Sequence, residues 1–464
     1  MHGNDDIDPM HSYNGSNGAQ RNGHSPRSVR SPVVEHFSLP TDFLVYYDQA
    51  RKLFWAKNSL DEWMQYAEAQ LSRRLRAVGV DKTRFTETGL HLVEAAMDQI
   101  MQERSVHYAG EMAGYPVGTY EILGHRVLIT RGPRIPKPAK RAFPTIETFL
   151  SSLLDAERKY FDAWIKCALL ALKAGSPFRP GQVLGIAGPP GCGKSLLQDL
   201  ITEILGGRSA KPYRYLTGDT SFNSDLFRAE HLCIEDEPAS VDARTRRHFA
   251  AAIKGLCVNR VQSFHPKGKD SMSMTPFWRL SISVNDDQDH LMVLPPLDDS
   301  LLDKIILLRA NQATFPFTSE DLAGRKRFRD TLTAELPGYL FWLRAWRMPA
   351  SLQDQRFGCV AYQNAELKQM LLDLDPEHKL WTLIRALKVI PLGLVGWTGE
   401  AGTLDVLLRE KDRSGDVARI LYYNTACGVY LDRLSRIYPE NIKRVKGGAH
   451  KNRWQIIVPD EEPF

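Results

Sequence analysis

The chain has 464 residues, which is too long for a single compact core and favours two or three domains. Its 43% hydrophobic and 25% charged residues are typical of a globular protein, and six scattered cysteines without metal-binding spacing indicate free thiols in a reducing compartment. The formal net charge of +5 is small for this length, so it permits a nucleic-acid partner without requiring one.

The first 36 residues are rich in Asn, Gly, Ser, Asp and His and contain few large apolar side chains. Such a segment cannot bury enough apolar surface to fold, so we predict a disordered tail over 1–36. It lacks the apolar region of a secretory signal, and no run in the chain reaches the roughly 18–20 apolar residues that span a bilayer. We therefore expect a cytosolic or nuclear protein without a membrane partner.

A small α+β module is predicted over 37–130. Apolar runs at 43–47 and 53–55, separated by a polar turn, are typical of a hairpin. Ser59 and Glu62 have the spacing of a capping box, and the apolar residues that follow keep helical spacing, so a helix is predicted to begin there.

The remaining boundaries follow from composition. A second helix is predicted from Thr88 to Glu103, and residues 131–142 form a basic, proline-rich linker. The later segments are predicted to be a central domain over 143–350, a polar connector over 351–378 and a third module over 379–464.

A phosphate-binding loop follows an apolar strand at 183–187 and precedes a helical pattern. The loop matches GxxxxGK[ST], and its residues are Gly188, Pro189, Pro190, Gly191, Cys192, Gly193, Lys194 and Ser195. The glycines allow backbone N–H groups to surround a phosphate at a helix N-terminus, where Leu196 adds a further amide. Lys194 is expected to reach the β- and γ-phosphates, and the Ser195 hydroxyl to hold Mg²⁺.

An acidic strand end is the expected partner of this loop. The strand at 231–235 runs into three adjacent acids, Glu235, Asp236 and Glu237. Such a strand end supplies one carboxylate to the Mg²⁺ shell and a second that polarises the attacking water. We favour Asp236 for the metal and Glu237 as the base, with Glu235 as the alternative.

Further strands are predicted at 278–284 and 303–308, so strands alternate with helices and indicate an α/β domain with a mainly parallel, buried sheet. Asn285 follows the first of these strands. In ring-forming nucleoside triphosphatases an Asn here lies between the two other motif strands and orients the lytic water, although a strand-terminal Asn is also an ordinary turn former.

The short intervals from Lys194 to Asp236 to Asn285 resemble superfamily 3 helicases, the compact AAA+ motors of small viruses, phages and plasmids. More closely, the chain is similar to the helicase half of phage, poxvirus and mobile-element primase-helicases. The segment 336–343 reads LPGYLFWL, which resembles the LPGxLxW helix that follows the core in those proteins. The resemblance covers about residues 140–345 well and the flanks, where that family has collar and winged-helix domains, loosely.

The resemblance implies that residues 143–350 form an AAA+ core that binds ATP and Mg²⁺ and assembles as a homo-oligomer, for which a hexamer is the expected form. It also implies a cytoplasmic location in a bacterial or phage-infected cell, with a nuclear location left open. The segment before the core is too short and too poor in clustered carboxylates for a primase, so the primase half is expected to be on another chain or absent, and a separate primase or polymerase is one partner that the resemblance allows.

Two further site predictions come from the resemblance. Between the acidic strand and the Asn strand, these helicases carry a DNA-tracking hairpin, for which His265, Lys267 and Lys269 form the basic tip here. The family places an arginine finger just before the strand after the Asn, where this chain has Lys304, with Arg309 one strand later. Lysine lacks the bidentate fork of arginine, so the identity of the finger stays open between the two.

The third module is basic, with eleven Lys/Arg against five Asp/Glu between Arg409 and Arg453. Helical patterns followed by two strands around Gly447-Gly448 indicate a winged-helix-like domain, with a solvated helical cap on the ring as the alternative. The predicted DNA-binding residues of this module are Arg433, Arg436, Arg444, Lys446, Lys451 and Arg453.

The leading interpretation is an ATP-driven ring that translocates on single-stranded DNA and unwinds forked DNA during replication of a mobile element. An origin-binding initiator or loader ATPase is the alternative, and an AAA+ protein that remodels other proteins is a third possibility.

Overall fold

The structure is a computed structural model. It describes residues 43–87, 89–173, 180–235, 237, 243–268, 270–298, 300–318, 321–389, 396–446 and 452–458. The predicted tail, Asp236, Lys269 and Lys451 lie outside these ranges, as does the side chain of Lys446.

The chain begins with a four-stranded sheet and two helices. These elements are β1 (Val45–Asp48), β2 (Leu53–Lys57), β3 (Trp63–Tyr66), α1 (Glu68–Ala77), α2 (Leu92–Glu103) and β4 (Ser105–Val106). The sheet order is β3-β2-β1-β4, so the predicted hairpin of β1 and β2 is present.

The helix predicted from Ser59 is wrong, because residues 63–66 form strand β3, antiparallel to β2. The cause is a turn that the capping-box pattern conceals. The Asn58 Oδ1 accepts the backbone N–H groups of Leu60 and Glu62, both at 2.9 Å, and this folds the chain back onto β2. The first helix therefore begins nine residues later than predicted, at Glu68 rather than Ser59.

A second, three-stranded sheet belongs to the same predicted module but packs on the next domain. Its strands are β5 (Tyr108–Gly110), β6 (Gly118–Ile122) and β7 (His125–Ile129), in the order β5-β7-β6. Val127 and Ile129 lie in the hydrophobic cluster of the large sheet, and the Ala113 N–H donates to the Phe227 carbonyl at 2.7 Å. The predicted boundary at residue 130 therefore does not separate two independent cores.

The central domain is a sheet covered by helices on both faces. Its elements are α3 (Pro144–Leu154), α4 (Arg158–Lys173), β8 (Val183–Gly188), α5 (Lys194–Ile204), β9 (Ser209–Ala210), α6 (Tyr213–Thr217), β10 (His231–Glu235), α7 (Ala243–Val258), β11 (Gln262–Phe264), β12 (Met272–Met274), β13 (Arg279–Asn285), α8 (Gln288–Leu291), β14 (Ile305–Arg309), α9 (Leu322–Ala345), β15 (Tyr362–Gln363) and α10 (Ala365–Leu374). The six-stranded sheet has the order β15-β14-β8-β13-β10-β9, and all its pairings are parallel.

Alternation along the central strands divides the core into two layers. In β8, Leu184 and Ile186 face the cluster that holds α3, α4, α5 and α9, whereas Val183 and Ala187 face the opposite cluster. All six residues of β8 are buried, as expected for a strand covered on both faces. The predicted α/β class with a buried parallel sheet is confirmed.

The predicted connector, 351–378, is instead part of the folded structure. Strand β15 pairs with β14 at the edge of the large sheet, and α10 buries Leu367, Leu371 and Leu374 in the core. The polar composition of this interval misled the prediction, because only one face of α10 is apolar.

The C-terminal module has its own core. Its elements are α11 (Pro376–Ala386), β16 (Trp397–Glu400), α12 (Ala401–Lys411), α13 (Asp416–Ile420), α14 (Ala426–Ile437), β17 (Ile442–Lys446) and β18 (Asn452–Ile456). The strands form an antiparallel sheet in the order β16-β18-β17, and Leu380, Leu431 and Trp454 pack inside.

Across the described ranges, no helix combines the length and the apolar character that crossing a membrane requires.

Candidate nucleotide and DNA site

The phosphate loop joins the carboxyl end of β8 to the N-terminus of α5. Gly191 and Gly193 have φ values of 71° and 117°, which side-chain-bearing residues rarely adopt. Gly188 approaches β14 so closely that a Cβ there would lie 2.3 Å from the Ala310 carbonyl oxygen. The three glycines are therefore required by backbone conformation and by close packing, so the loop is a built feature of the fold.

Lys194 lies inside the loop that it closes. Its ammonium donates to the carbonyl oxygens of Gly188 at 2.9 Å and Pro189 at 2.8 Å, and to the Asn285 Oδ1 at 3.1 Å. Only 9% of the residue is exposed. The thiol of Cys192 lies 3.7 Å from the same ammonium, and burial raises the pKa of that thiol, so it stays neutral in a loop that must accept an anion.

Sheet order explains how Asn285 reaches Lys194 across 91 residues of sequence. Strand β13 lies between β8 and β10, and Asn285 pairs in register with Gly188. The carboxyl ends of these parallel strands meet at one edge, so the structure brings Lys194 and Asn285 together. It also ends the acidic strand β10 beside them.

Glu235 is the last residue of β10 and lies on the face of the sheet that α5 covers, since Leu232 and Ile234 point into the opposite core layer. Its Oε2 accepts the Lys211 ammonium at 3.1 Å. Burial is the largest single influence on the pKa of Lys211 and lowers it, but the hydrogen bond to Glu235 together with the nearby Cys233, Glu235 and Glu237 raises that pKa overall. Glu237 is half-buried beyond the strand, and Asp236 lies outside the described residues.

A magnesium nucleotide fits these residues. The Oε1 of Glu235 is buried without a hydrogen-bond partner among the described residues. A buried carboxylate oxygen of this kind can accept a hydrogen bond from the water shell of Mg²⁺. Lys194, Ser195 and Leu196 form the start of α5, and the N-terminus of a helix favours an anion. The sequence analysis favoured Asp236 for the metal and Glu237 as the base, with Glu235 only as the alternative. The position of Glu235 at the end of β10 favours it as a third acidic residue of the candidate site.

Arg309 and Lys304 lie at opposite ends of β14. Arg309 pairs in register with Ala187, one residue before the phosphate loop, whereas Ile305, next to Lys304, pairs with Val183 at the far end of β8. Lys304 donates to the Asp303 carboxylate at 2.6 Å and the Ser300 carbonyl at 2.7 Å, and its side chain is 12% exposed. The structure thus brings Arg309 and not Lys304 to the phosphate-loop end of the sheet.

Three carboxylates hold the Arg309 residue. Its guanidinium forms an ion pair with Glu366 of α10 and lies 3.9 Å from the Asp286 Oδ2. Its backbone N–H donates to the Glu157 Oε2 at 2.8 Å. The same Glu157 accepts the Tyr362 hydroxyl at 2.9 Å, so the end of β14 is tied to β15 and α10. None of these carboxylates was predicted, because no local motif marks them.

The predicted basic hairpin is formed by β11 and β12, which pair antiparallel with Phe264 opposite Met272. Lys267 is exposed at its tip beside Gly268, which has a φ of 73°. His265 is half-buried at the base of the tip. The hairpin lies between the acidic strand and the Asn strand in sequence, as predicted.

Two residues that the sequence analysis missed support this hairpin. The side chain of Asn223 accepts the His265 N–H at 2.8 Å and donates to the Ser263 carbonyl at 2.7 Å. Asn223 is 1% exposed, so it holds the hairpin from a buried position. Next to it, Phe222 is 42% exposed with its ring 5.3 Å from the His265 ring. An Asn and a Phe forty residues from the hairpin give no sequence signal of this contact.

The basic residues of the C-terminal module are distributed over α14 and the β17–β18 hairpin. Arg433 is 3.2 Å from the Glu377 carboxylate, and Arg436 pairs with Asp432 one turn earlier. Arg444 and Arg453 are exposed on the two strands, and the Arg444 guanidinium donates to the Asn452 side chain. Arg433 is thus partly neutralised, whereas the strand residues present charge to solvent.

Comparison with known proteins supports the fold. Residues 186–300 match DUF5906, a family of unknown function. No match was found among curated proteins. The apo structure of the NrS-1 C-terminal region is similar with a TM-score of 0.53 and 15% identity, over 89% of this chain and 96% of that chain.

An A-form apo structure of the same NrS-1 region gives a TM-score of 0.52 and 14% identity, over 89% of this chain and 96% of that chain. SCCmec type IV Cch, an active helicase, matches at a TM-score of 0.30 and 10% identity, over 85% of this chain and 72% of that chain, which is too low to establish a common fold. The chain therefore shares its fold with the NrS-1 C-terminal region across almost its full described length.

Proposed function

We propose that the chain is an ATP-dependent DNA helicase of the superfamily 3 type, which assembles as a ring and translocates on single-stranded DNA. One observation carries the proposal. The parallel sheet places β13 between the phosphate-loop strand and the acidic strand, so that Asn285 contacts Lys194, and the chain that runs from the acidic strand to β13 forms a basic hairpin.

In this proposal, the phosphate loop and Lys194 bind the ATP polyphosphate, and Ser195 with Asp236 or Glu235 holds Mg²⁺. The cation would neutralise charge that develops on the phosphates. Glu237 or Glu235 accepts a proton from water that Asn285 orients. Because Asn285 and Lys194 already share a hydrogen bond, nucleotide binding that draws the ammonium away frees the amide for that water.

The hairpin gives the motor its DNA contact. Its tip carries Lys267 and Lys269 for phosphates, and the exposed ring of Phe222 beside His265 offers a surface on which a base can stack. Translocation would follow if successive subunits of a ring move their hairpins in turn. We propose a hexamer, in which a neighbour supplies Lys304 and the protein's own Arg309 stays beside the phosphate loop.

The C-terminal module is proposed to be a winged helix that binds duplex or forked DNA. It has helices α12 and α14 with the short α13 between them. The β17–β18 hairpin follows, and its exposed arginines can contact phosphates. A mobile-element replication setting with a separate primase or polymerase stays part of the proposal through the family resemblance.

The test uses the purified full chain with a forked substrate labelled on one strand. We expect ATP hydrolysis that single-stranded DNA stimulates, strand displacement that requires ATP, and a shift in mass to a ring when both are present. The Lys194→Ala variant should lose ATP hydrolysis, strand displacement and the mass shift. It should keep DNA binding in the absence of nucleotide.

An outcome that separates the alternatives is DNA-stimulated hydrolysis without strand displacement under any substrate geometry. That result would remove the helicase proposal and favour an initiator or loader ATPase. Hydrolysis that DNA leaves unchanged would count against both and favour a remodeller of proteins.

A further inference from the structure

The linker between the N-terminal module and the central domain has a regular charge pattern. Between residues 131 and 141 it contains five basic residues and no acid, and four of them recur at every third position: Arg131, Arg134, Lys137 and Lys140. We call residues 131–141 the basic strap. A linker that only joins two domains does not require this period.

Exposure in the structure follows this period from residue 131 to 137. Residues 131, 134, 137 and 140 are exposed, as are 138 and 141 at the end of the strap, whereas 132, 133, 135, 136 and 139 are half-buried. The strap has no helix or strand, and its prolines at 133, 136 and 138 fix φ near the value of a polyproline II helix, which has three residues per turn. Its four periodic basic side chains therefore project from one side.

The strap is fixed on the central domain and does not hang between domains. The Arg134 N–H donates to the Gly206 carbonyl after α5 at 3.0 Å, and the Ala139 N–H donates to the Pro337 carbonyl in α9 at 2.9 Å. A Cβ on Gly206 would lie 2.5 Å from Pro133, and one on Gly338 would lie 2.6 Å from the Arg141 carbonyl oxygen. Glycines of the central domain thus allow the strap to pack closely against it.

The exposed basic side chains of the strap form few ion pairs within the described part of the protein. Arg131 lies 3.3 Å from the Glu111 carboxylate, but among the described residues Arg134, Lys137 and Lys140 form no ion pair with a carboxylate. A rigid line of unpaired charges costs electrostatic self-repulsion, and a polyanion relieves that repulsion. Because the strap is already ordered, binding would cost little conformational entropy.

We propose that the basic strap is a sequence-independent binding surface for the phosphate backbone of DNA, separate from the hairpin of β11 and β12. With a rise of about 3.1 Å per residue, the basic side chains recur about every 9 Å, and Arg131 and Lys140 lie about 28 Å apart, a span within which each strand of a duplex has about eight phosphates. A nucleic-acid backbone has a charge at every nucleotide whatever its sequence, so an evenly spaced line of cations can contact phosphates in any register. The inference rests on the proposed function, since it assumes that the protein acts on DNA.

The experiment compares three full-length proteins in DNA binding by fluorescence anisotropy across a series of salt concentrations. The strap variant carries Arg134→Gln, Lys137→Gln and Lys140→Gln. The control variant carries Arg73→Gln, Arg76→Gln and Lys82→Gln, which removes the same charge from exposed positions around α1. Circular dichroism checks that both variants keep the fold, as expected for exposed side chains.

If the strap contacts three phosphates, the slope of log K against log salt falls by about 2.7 on duplex DNA and by about 2.1 on single strands. The control variant keeps the wild-type slope, and ATP hydrolysis without DNA is unchanged in both. The proposal is overturned if the strap variant keeps the wild-type slope, or if the control lowers the slope by the same amount.

The proposed helicase activity is read separately, from strand displacement by the wild type in the same buffers. A smaller salt slope in the strap variant, together with no strand displacement by the wild type, would support the strap proposal and refute the helicase proposal. Strand displacement by the wild type, together with an unchanged slope in the strap variant, would support the helicase proposal and refute the strap proposal. A wild type that binds no DNA would refute both.

Discussion

The buried side chain of Asn223 is predicted to decide whether the basic hairpin stays ordered. In Asn223→Ala, the His265 N–H and the Ser263 carbonyl lose their side-chain partners. Each such hydrogen bond contributes about 1 kcal/mol net, so the hairpin should lose about 2 kcal/mol of local stability. At about 1.4 kcal/mol for each factor of ten, the hairpin should open about 30-fold more often.

Amide hydrogen exchange measures this opening directly. We expect protection of the amides that pair β11 with β12 to fall about 30-fold in Asn223→Ala, while amides in β8 keep their protection. The His265 amide is not used for this measurement, because its acceptor is the substituted side chain itself. If His265 tracks DNA, single-stranded DNA should also stimulate ATP hydrolysis less in this variant. Hydrolysis without DNA should stay as in the wild type, because Asn223 does not contact the phosphate loop.

Asn58 provides a matched control. Its side chain also closes a hairpin, by accepting two backbone N–H groups at 2.9 Å, but in the N-terminal module. Asn58→Ala should loosen the β2–β3 turn and leave DNA stimulation intact. Unchanged protection of the β11–β12 amides in Asn223→Ala would refute the reasoning, and so would an equal loss of DNA stimulation in Asn58→Ala.

Three further predictions concern charged groups. Lys194→Ala should abolish ATP hydrolysis while far-ultraviolet circular dichroism stays unchanged, because the ammonium contacts only the loop and Asn285. Arg309→Gln should weaken nucleotide binding by the isolated subunit, measured by titration of a fluorescent ATP analogue, whereas Lys304→Gln should alter hydrolysis only in the assembled ring. Burial raises the pKa of the Asp375 carboxyl from 3.8 to about 7, against the opposing charge of Arg246. Since the folded-state pKa is raised, stability should fall as pH rises from about 4 to about 7, by at most about 4 kcal/mol, and urea unfolding should show this slope lost in Asp375→Asn.

The parts of the fold that could be predicted are those written in local sequence. Strands β8, β10 and β13 are each a buried apolar run followed by a diagnostic motif: the phosphate loop, the three acids and Asn285. The structure has these three strands side by side in the sheet. Their order in the sheet came from the resemblance and not from the runs themselves. The error at Ser59 shows the limit, because a capping-box spacing and an Asn-closed turn use the same polar residues.

The parts that could not be predicted depend on contacts between distant segments. Glu157 holds the end of β14 through a hydrogen bond across 152 residues, and Asn223 holds the hairpin across about forty. Neither residue lies in a motif, so its role becomes visible only when the sheet has brought its partner to it. The assignment of Glu235 had a different obstacle, since three consecutive acids leave the register open until strand alternation orients one of them.

Helix α10 gives the nucleotide end of the sheet a charged connection to the C-terminal module. At its start, Glu366 pairs with Arg309, whose strand position borders the phosphate loop. After its end, Asp375 lies 3.8 Å from Arg246 of α7, the helix that follows the acidic strand. In the proposed helicase, a polyphosphate bound in the loop would compete with Glu366 for the Arg309 guanidinium, because both are anions. Since α11 begins immediately after Asp375, a shift of α10 would move the C-terminal module with it. The interval 351–378, predicted to be a connector, is thus placed to couple the proposed ATP site to the proposed DNA-binding module.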